Sequence, residues 1–128
     1  MIDINVLTGT IIEICIKKHS TIGPGCYERI YEELLYYEIT KRDIAIERQL
    51  TMPISYEELN LADAYKLDLL VDNRLILEIK SVEKMAAVPF KQIKTYLKLM
   101  NLKNGLLLNF NVDLMKEGIH RVFNNRGV

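Results

Sequence analysis

The sequence has few cysteines and no long apolar run. Its 128 residues include two cysteines, Cys15 and Cys26, which match neither a CxxC motif nor the spacing of a metal site, so free buried thiols are expected. No apolar stretch approaches the roughly 20 residues that a membrane span requires. The N-terminus has no basic segment followed by an apolar stretch and a cleavage site. We therefore expect a cytoplasmic protein without a membrane span.

Net charge is also lacking, because 17 lysines and arginines balance 17 acidic residues. A neutral chain does not by itself indicate a nucleic-acid-binding protein. The balance is uneven, however: residues 1–83 hold 15 acidic and 9 basic residues, whereas residues 84–128 hold 2 acidic and 8 basic residues. This asymmetry is consistent with a surface that meets a phosphate backbone. A solvated helix face explains part of it equally well.

Hydrophobic periodicity and turn residues predict one α/β domain, residues 1–128, with the element order ααβββαββ and a mixed central sheet flanked by helices. Pro53 has no N–H to donate, so its strand should lie at a sheet edge or carry a bulge. A helix links the last two buried strands, which favours a parallel right-handed crossover. The predicted segments are helices 4–19, 27–41 and 89–100, strands 45–56, 65–71, 75–80, 105–110 and 119–123, a polar turn at 57–64 and a frayed tail at 124–128.

The centre of the chain predicts a hairpin with charged residues where a core should be. Strand alternation places Glu78 and Lys80 on one face of strand 75–80. If the loop is the three residues 72–74, Asp68 lies directly opposite Glu78, with β-carbons roughly 5 Å apart. Two carboxylates so placed repel each other, and a Mg²⁺ ion with oxygen ligands would relieve the repulsion. A structural ion triad with Lys80 is the alternative.

Acidic and basic residues on two helices extend the candidate site. Glu28 leans toward the buried side of its helix. It either stabilises the N-terminus of the helix by its interaction with the macrodipole, or points at the metal. Gln92 and Tyr96 share one face of a later helix because they are four residues apart. That helix also carries a stripe of basic residues, which either contacts phosphates or is plain solvated surface. The stripe comprises Lys91, Lys94 and Lys98.

Asp68 on one strand and Glu78-x-Lys80 on the next, followed by a helix and a buried strand, resemble the PD-(D/E)xK nuclease superfamily, the restriction-endonuclease-like fold. Leu67 stands where the superfamily motif has proline. The segment from Gly25 to Tyr31 is similar to the motif of the GxxExxY family. The resemblance continues through Gln49, residues 65–81, Gln92, Tyr96, residues 105–111, Gly118, Ile119 and Arg121.

The resemblance implies a Mg²⁺-dependent or Mn²⁺-dependent nuclease site that acts on DNA, with RNA as an alternative. Asp68 and Glu78 would bind the metal, often with the backbone carbonyl of Ile79, and Glu28 would complete the ligand set. Lys80 would position or activate the attacking water.

The same resemblance implies that Gln92 lines the site, and we predict that Tyr96 and the three lysines contact nucleic acid. A homodimer is compatible with the resemblance, although no sequence feature requires one. A catalytically silent module that binds nucleic acid or assembles with a partner, and keeps the fold, is the alternative function.

Overall fold

The computed structural model describes residues 2–124 and has the predicted order of helices and strands. A short 3₁₀ helix before the last strand is the one addition within these residues. The elements are α1 (Ile4–Ile22), α2 (Glu28–Lys41), β1 (Ile46–Tyr56), β2 (Leu59–Val71), β3 (Leu75–Lys80), α3 (Val88–Met100), β4 (Asn104–Asn109), the 3₁₀ helix (Met115–Gly118) and β5 (Ile119–Phe123).

The five strands form one mixed sheet in the order β1-β2-β3-β4-β5. Among the strands within residues 2–124, only β3 and β4 run parallel, and α3 connects them, as the sequence predicts. The other neighbouring strands are antiparallel. The mixed sheet flanked by helices is therefore confirmed and fits a restriction-endonuclease-like fold. No helix within residues 2–124 is both long and apolar enough to span a membrane.

Two hydrophobic cores cover the two faces of the sheet, because β3 and β4 are apolar on both sides. On one face, Leu75, Leu77 and Ile79 pack with residues of α1 and α2 in what we call the α1/α2-side core. On the other face, Ile76 and Leu107 pack with α3 in the α3-side core. Glu78 and Lys80 share the parity of Ile76, which directs them to the α3 side.

A buried acid fastens the end of α2 to α1. Glu38 is 7% exposed and forms ion pairs with Lys18 of α1, Lys41 and Arg42. Its hydrogen bond to Arg42 is the largest of the effects that lower the pKa of Glu38 to about 2. This network leaves Glu38 ionised and holds the two helices in place beneath the sheet.

The predicted polar turn at residues 57–64 is wrong. The turn contains only Glu57 and Glu58, and Glu57 adopts a positive φ of 52°. Chain direction reverses at that point, so the following residues pair with β1 from Leu59 onward. The alternation of leucine with smaller residues in 59–64 is strand periodicity. As a result, β2 has 13 residues, and β1 and β2 together extend far beyond β3.

Two further boundary predictions are resolved at the edges of the sheet. Pro53 lies in edge strand β1, where the pairing register shifts between Met52 and Ile54, so both features predicted for it are confirmed. Asn124 is anchored, because its N–H donates to Lys103 O and its side chain donates to Leu102 O. The rest of the predicted tail, residues 125–128, lies outside the described residues.

Gly118→Ala should lower the free energy of unfolding by about 2 kcal/mol. A β-carbon at residue 118 would lie 1.9 Å from the carbonyl oxygen of Asn109, so the 3₁₀ helix or the end of β4 has to move. Urea denaturation measures the change. Gly9→Ala is the matched control: its β-carbon would meet nothing within 4 Å, and alanine in a helix should stabilise it by up to about 1 kcal/mol. Equal effects of the two substitutions would contradict the prediction.

Candidate active site

β2 and β3 separate at the charged residues, and side chains replace the main-chain hydrogen bonds between them. The strands pair through Val71–Leu75, Leu70–Ile76 and Leu69–Leu77. The next residues in this register are Asp68 and Glu78, as a three-residue hairpin loop predicts. Here the N–H of Asp68 donates to Glu78 Oε1 at 3.2 Å, and the N–H of Ile79 donates to Asp68 Oδ2 at 2.8 Å. The two carboxyl groups therefore lie between the strands.

Burial strongly affects the protonation of Glu78. Glu78 is 9% exposed, and desolvation is the main reason that its pKa rises to about 8; the charge of Asp68 is the second. The positive charge of Lys80 opposes the rise of this pKa, but it is the smallest of the contributions. Without a cation, the Glu78 carboxyl therefore retains its proton near neutral pH.

Lys80 is the last residue of β3 and is half-buried. Its backbone is held by the parallel pairing with Asn109 and by the N–H of Phe110, which donates to Lys80 O at 2.9 Å. Strand alternation places its side chain on the same face as Glu78. The ammonium group thus belongs to the same constellation as the carboxyl pair.

α3 brings Tyr96 to this constellation. Tyr96 is 6% exposed, and its ring meets that of Tyr65 edge-on at 5.3 Å between centroids. Burial raises the pKa of the Tyr96 hydroxyl, and the charges of Glu78 and Asp68 raise it further. Tyr96 is therefore close to the acidic pair, although it is too buried to offer a free ring face. Gln92 lies one helical turn earlier and is exposed.

α2 contributes two acids, and they have different partners. Glu28 is exposed, and its Oε2 accepts a hydrogen bond from the N–H of Ser81 at 3.2 Å, directly after Lys80. Glu32 Oε1 accepts one from Gln49 Nε2 at 2.5 Å. Desolvation raises the pKa of Glu32, the Gln49 hydrogen bond opposes this, and the charge of Asp68 raises it again. The charge of Asp68 therefore reaches Glu32.

Gln49 is a residue of the site to which the sequence analysis assigned no role. It lies opposite Asp68 in the β1–β2 register, between the pairs Arg48–Leu69 and Leu50–Leu67. Its φ is 52°, which is strained for a residue other than glycine, and such strain concentrates at functional sites. The turned backbone accompanies the hydrogen bond that Gln49 donates to Glu32. Strand periodicity alone gives no signal of such a conformation.

Comparison with protein families gives a match over nearly the whole chain. The family model for the PD-(D/E)XK nuclease superfamily matches residues 5–122. The chain belongs to the PD-(D/E)XK nuclease superfamily. Comparisons with curated proteins and with solved structures give no significant match.

Members of this superfamily generally use divalent metal ions. Within residues 2–124, no three acidic, histidine or cysteine side chains form a group that could hold a metal ion. Mg²⁺ does not require three, since it is commonly held by one or two carboxylates and keeps several waters. The Asp68–Glu78 pair meets that requirement. The metal-binding role of Glu28 stays a prediction.

The Gly25–Glu28–Tyr31 motif fixes a loop beside the segment that follows Lys80. The ring of Tyr31 stacks on Phe110 at 4.2 Å, and its hydroxyl donates to Gly23 O and accepts from the N–H of Cys26. Ser81 Oγ donates to Cys26 O at 3.0 Å. The loop and the segment after β3 together border a cleft of about 540 Å³, lined also by Glu28, Arg29 and Asn111.

The segment after β3 is also held from β4. Buried Asn109 accepts a hydrogen bond from the N–H of Val82 and donates one to the carbonyl oxygen of Val82. Together with the Ser81 contacts, these bonds fix the chain immediately after Lys80. The sequence analysis quoted Asn109 only within residues 105–111 and did not predict this function. The three lysines of α3 are exposed, as expected for either of their predicted roles.

Proposed function

We propose that this chain is a Mg²⁺-dependent nuclease that hydrolyses phosphodiester bonds of DNA. The observation that carries the proposal is the Asp68–Glu78 pair, in which Glu78 is buried and Asp68 half-buried. Each carboxyl accepts a main-chain N–H of the opposite strand, with Lys80 on the same face. A purely structural role gives little reason to place two carboxyls side by side when one of them is buried. A bound cation would relieve the repulsion between the two carboxylates.

Asp68 and Glu78 would hold the cation, with the carbonyl of Ile79 as a further oxygen ligand. A bound Mg²⁺ or Mn²⁺ would stabilise the negative charge that builds on the phosphoryl oxygens during attack. Lys80 would hold the attacking water, either accepting its proton or stabilising developing charge. Attack opposite the leaving oxygen inverts the configuration at phosphorus.

The residues around the carboxyl pair would have three kinds of role: metal binding, positioning and substrate binding. Glu32, held by Gln49, would orient the water shell of the cation from the α2 side. Glu28 would complete the ligand set of the cation, and its hydrogen bond to the N–H of Ser81 would also hold the backbone that follows Lys80. The α3 helix carries Lys91, Lys94 and Lys98 and no acidic residue, which suits contact with phosphates. Gln92, one helical turn before Tyr96, would line the site and contact the substrate.

The test is incubation of purified protein with single-stranded, double-stranded and branched DNA and with RNA, with Mg²⁺, with Mn²⁺ or with chelator. We expect metal-dependent cleavage of DNA that falls about 10³-fold or more in Asp68→Asn. Asp113→Asn changes an exposed aspartate in the same way and should leave cleavage unchanged. Cleavage that survives Asp68→Asn points to a contaminant. Metal-independent binding without cleavage supports the silent-module alternative.

A further inference from the structure

The distal part of the β1–β2 hairpin is a two-stranded ribbon, which we call the arm (residues 52–65). β2 pairs with β3 only through residues 69–71, so within the described chain the arm strands pair only with each other. The pairs Ile54–Leu61 and Tyr56–Leu59 lie on one face, whereas Ser55 and Asn60 hydrogen-bond on the other. The arm therefore has one apolar face.

The apolar face of the arm is open to solvent. Tyr56, Leu59 and Leu61 are 67%, 56% and 47% exposed. The face continues from Met52 and Tyr65, which belong to the α3-side core, so it lies on the same side of the sheet as α3. An isolated two-stranded ribbon is only marginally stable in water, and a contiguous exposed apolar patch marks an interaction surface.

Charge decides which partner suits the arm. The arm contains Glu57, Glu58 and Asp63 and no basic residue, so a phosphate backbone would be repelled. The most basic helix of this chain has the complementary composition: α3 carries three lysines and no acid. α3 also exposes apolar side chains, with Val88 58% and Leu99 48% exposed. A second copy of the chain thus presents basic residues and exposed apolar side chains that match the acidic, apolar arm.

We propose that two copies of this chain associate through a two-fold axis, with the arm of each lying across α3 of the other. The arm and α3 lie on the same side of the sheet, so one symmetric interface contains two identical arm–helix contacts. Acidic residues at the turn of the arm then face the lysines of the partner helix. The same lysines would be shared with nucleic acid, so the assembly and the substrate would compete for them.

Sedimentation velocity without nucleic acid or metal tests the association, so a failure of nuclease activity does not affect the result. We expect a species of twice the 14.9 kDa chain mass that dissociates at least tenfold more readily when salt rises from about 50 mM to about 500 mM. The variant Tyr56→Ser/Leu61→Ser should be monomeric with an unchanged circular dichroism spectrum. A wild-type monomer at about 100 µM would overturn the proposal.

Charge exchange gives the sharper experiment. Glu57→Lys/Glu58→Lys makes the arm basic, and Lys94→Glu/Lys98→Glu makes α3 acidic, so neither variant should associate with itself. A mixture of the two should dimerise, because each arm again meets a helix of opposite charge. Asp113→Lys/Glu117→Lys changes exposed acids outside the arm and should leave the wild-type dimer intact. Failure of the mixture to associate, or a dimer insensitive to both arm changes, would show that the arm is not the interface.

Discussion

Lys80→Met should lower the rate of phosphodiester hydrolysis about 10³-fold while leaving Mg²⁺ affinity nearly unchanged. Lys80 lies on the same strand face as Glu78 but bears a positive charge, so it does not ligate a cation. Among the effects on the pKa of Glu78, its charge is the smallest. Removing the ammonium group should therefore disturb the carboxyl pair little and the chemistry strongly. Asp68→Asn, by contrast, should lose both metal binding and cleavage.

The measurements are single-turnover cleavage at saturating Mg²⁺ and the dependence of melting temperature on Mg²⁺ concentration. Lys80→Arg separates the two roles open to this residue. Arginine keeps the charge but does not accept a proton from water, so residual cleavage indicates charge stabilisation, and complete loss indicates proton transfer. Lys84→Met is the control, since Lys84 is exposed four residues later. Equal losses of cleavage rate in Lys80→Met and Lys84→Met would show that Lys80 is not part of the site.

The local geometry of this site was predictable because it depends on short-range rules. Period-two alternation and a three-residue loop suffice to place Asp68 opposite Glu78 and to put Lys80 on the same face. The parallel crossover through α3 follows from chain handedness and the length of the connection. These rules need no knowledge of how helices pack on the sheet.

What the sequence did not predict depends on packing between distant segments. Glu32 comes to the site because α2 packs on β1, where Gln49 turns its backbone and donates a hydrogen bond to it. Nothing near Glu28 in sequence indicates that it bonds the N–H of Ser81, 53 residues later. The arm was missed for a different reason: two consecutive glutamates and small polar residues outweighed the leucine alternation that follows them.

Glu78→Gln should raise the free energy of unfolding of the metal-free protein by up to about 4 kcal/mol at about pH 9 and change it little at about pH 5. Glutamine resembles the protonated acid in size and keeps an oxygen for the N–H of Asp68. It also cannot ionise. The substitution therefore preserves the hydrogen bond while removing the charge that burial and Asp68 oppose.

The sign of this change in the free energy of unfolding follows from the number of protons that the folded and unfolded states bind. The pKa of Glu78 is about 8 in the folded protein and near 4.5 in the unfolded chain. Between these values the folded state holds a proton that the unfolded chain has lost, so the stability of the metal-free wild type falls as pH rises, by about 1.4 kcal/mol per unit. Glu78→Gln should lack this decline. Urea denaturation in chelator across the range measures it.

Two further measurements show whether this loss of stability with rising pH arises from a metal site. One uses the variant Glu83→Gln, and the other uses added Mg²⁺. Glu83 is an exposed acid, so its replacement should leave the wild-type pH dependence intact. Saturating Mg²⁺ should stabilise the wild type by about 2.7 kcal/mol at 100 times the dissociation constant and should do little for Glu78→Gln. The difference in stability between Glu78→Gln and the wild type would then narrow or reverse at high pH. A cation that binds both carboxylates must remove the repulsion that destabilises them. If Mg²⁺ does not offset the fall in stability with rising pH, the two carboxyls are a structural element and do not bind metal.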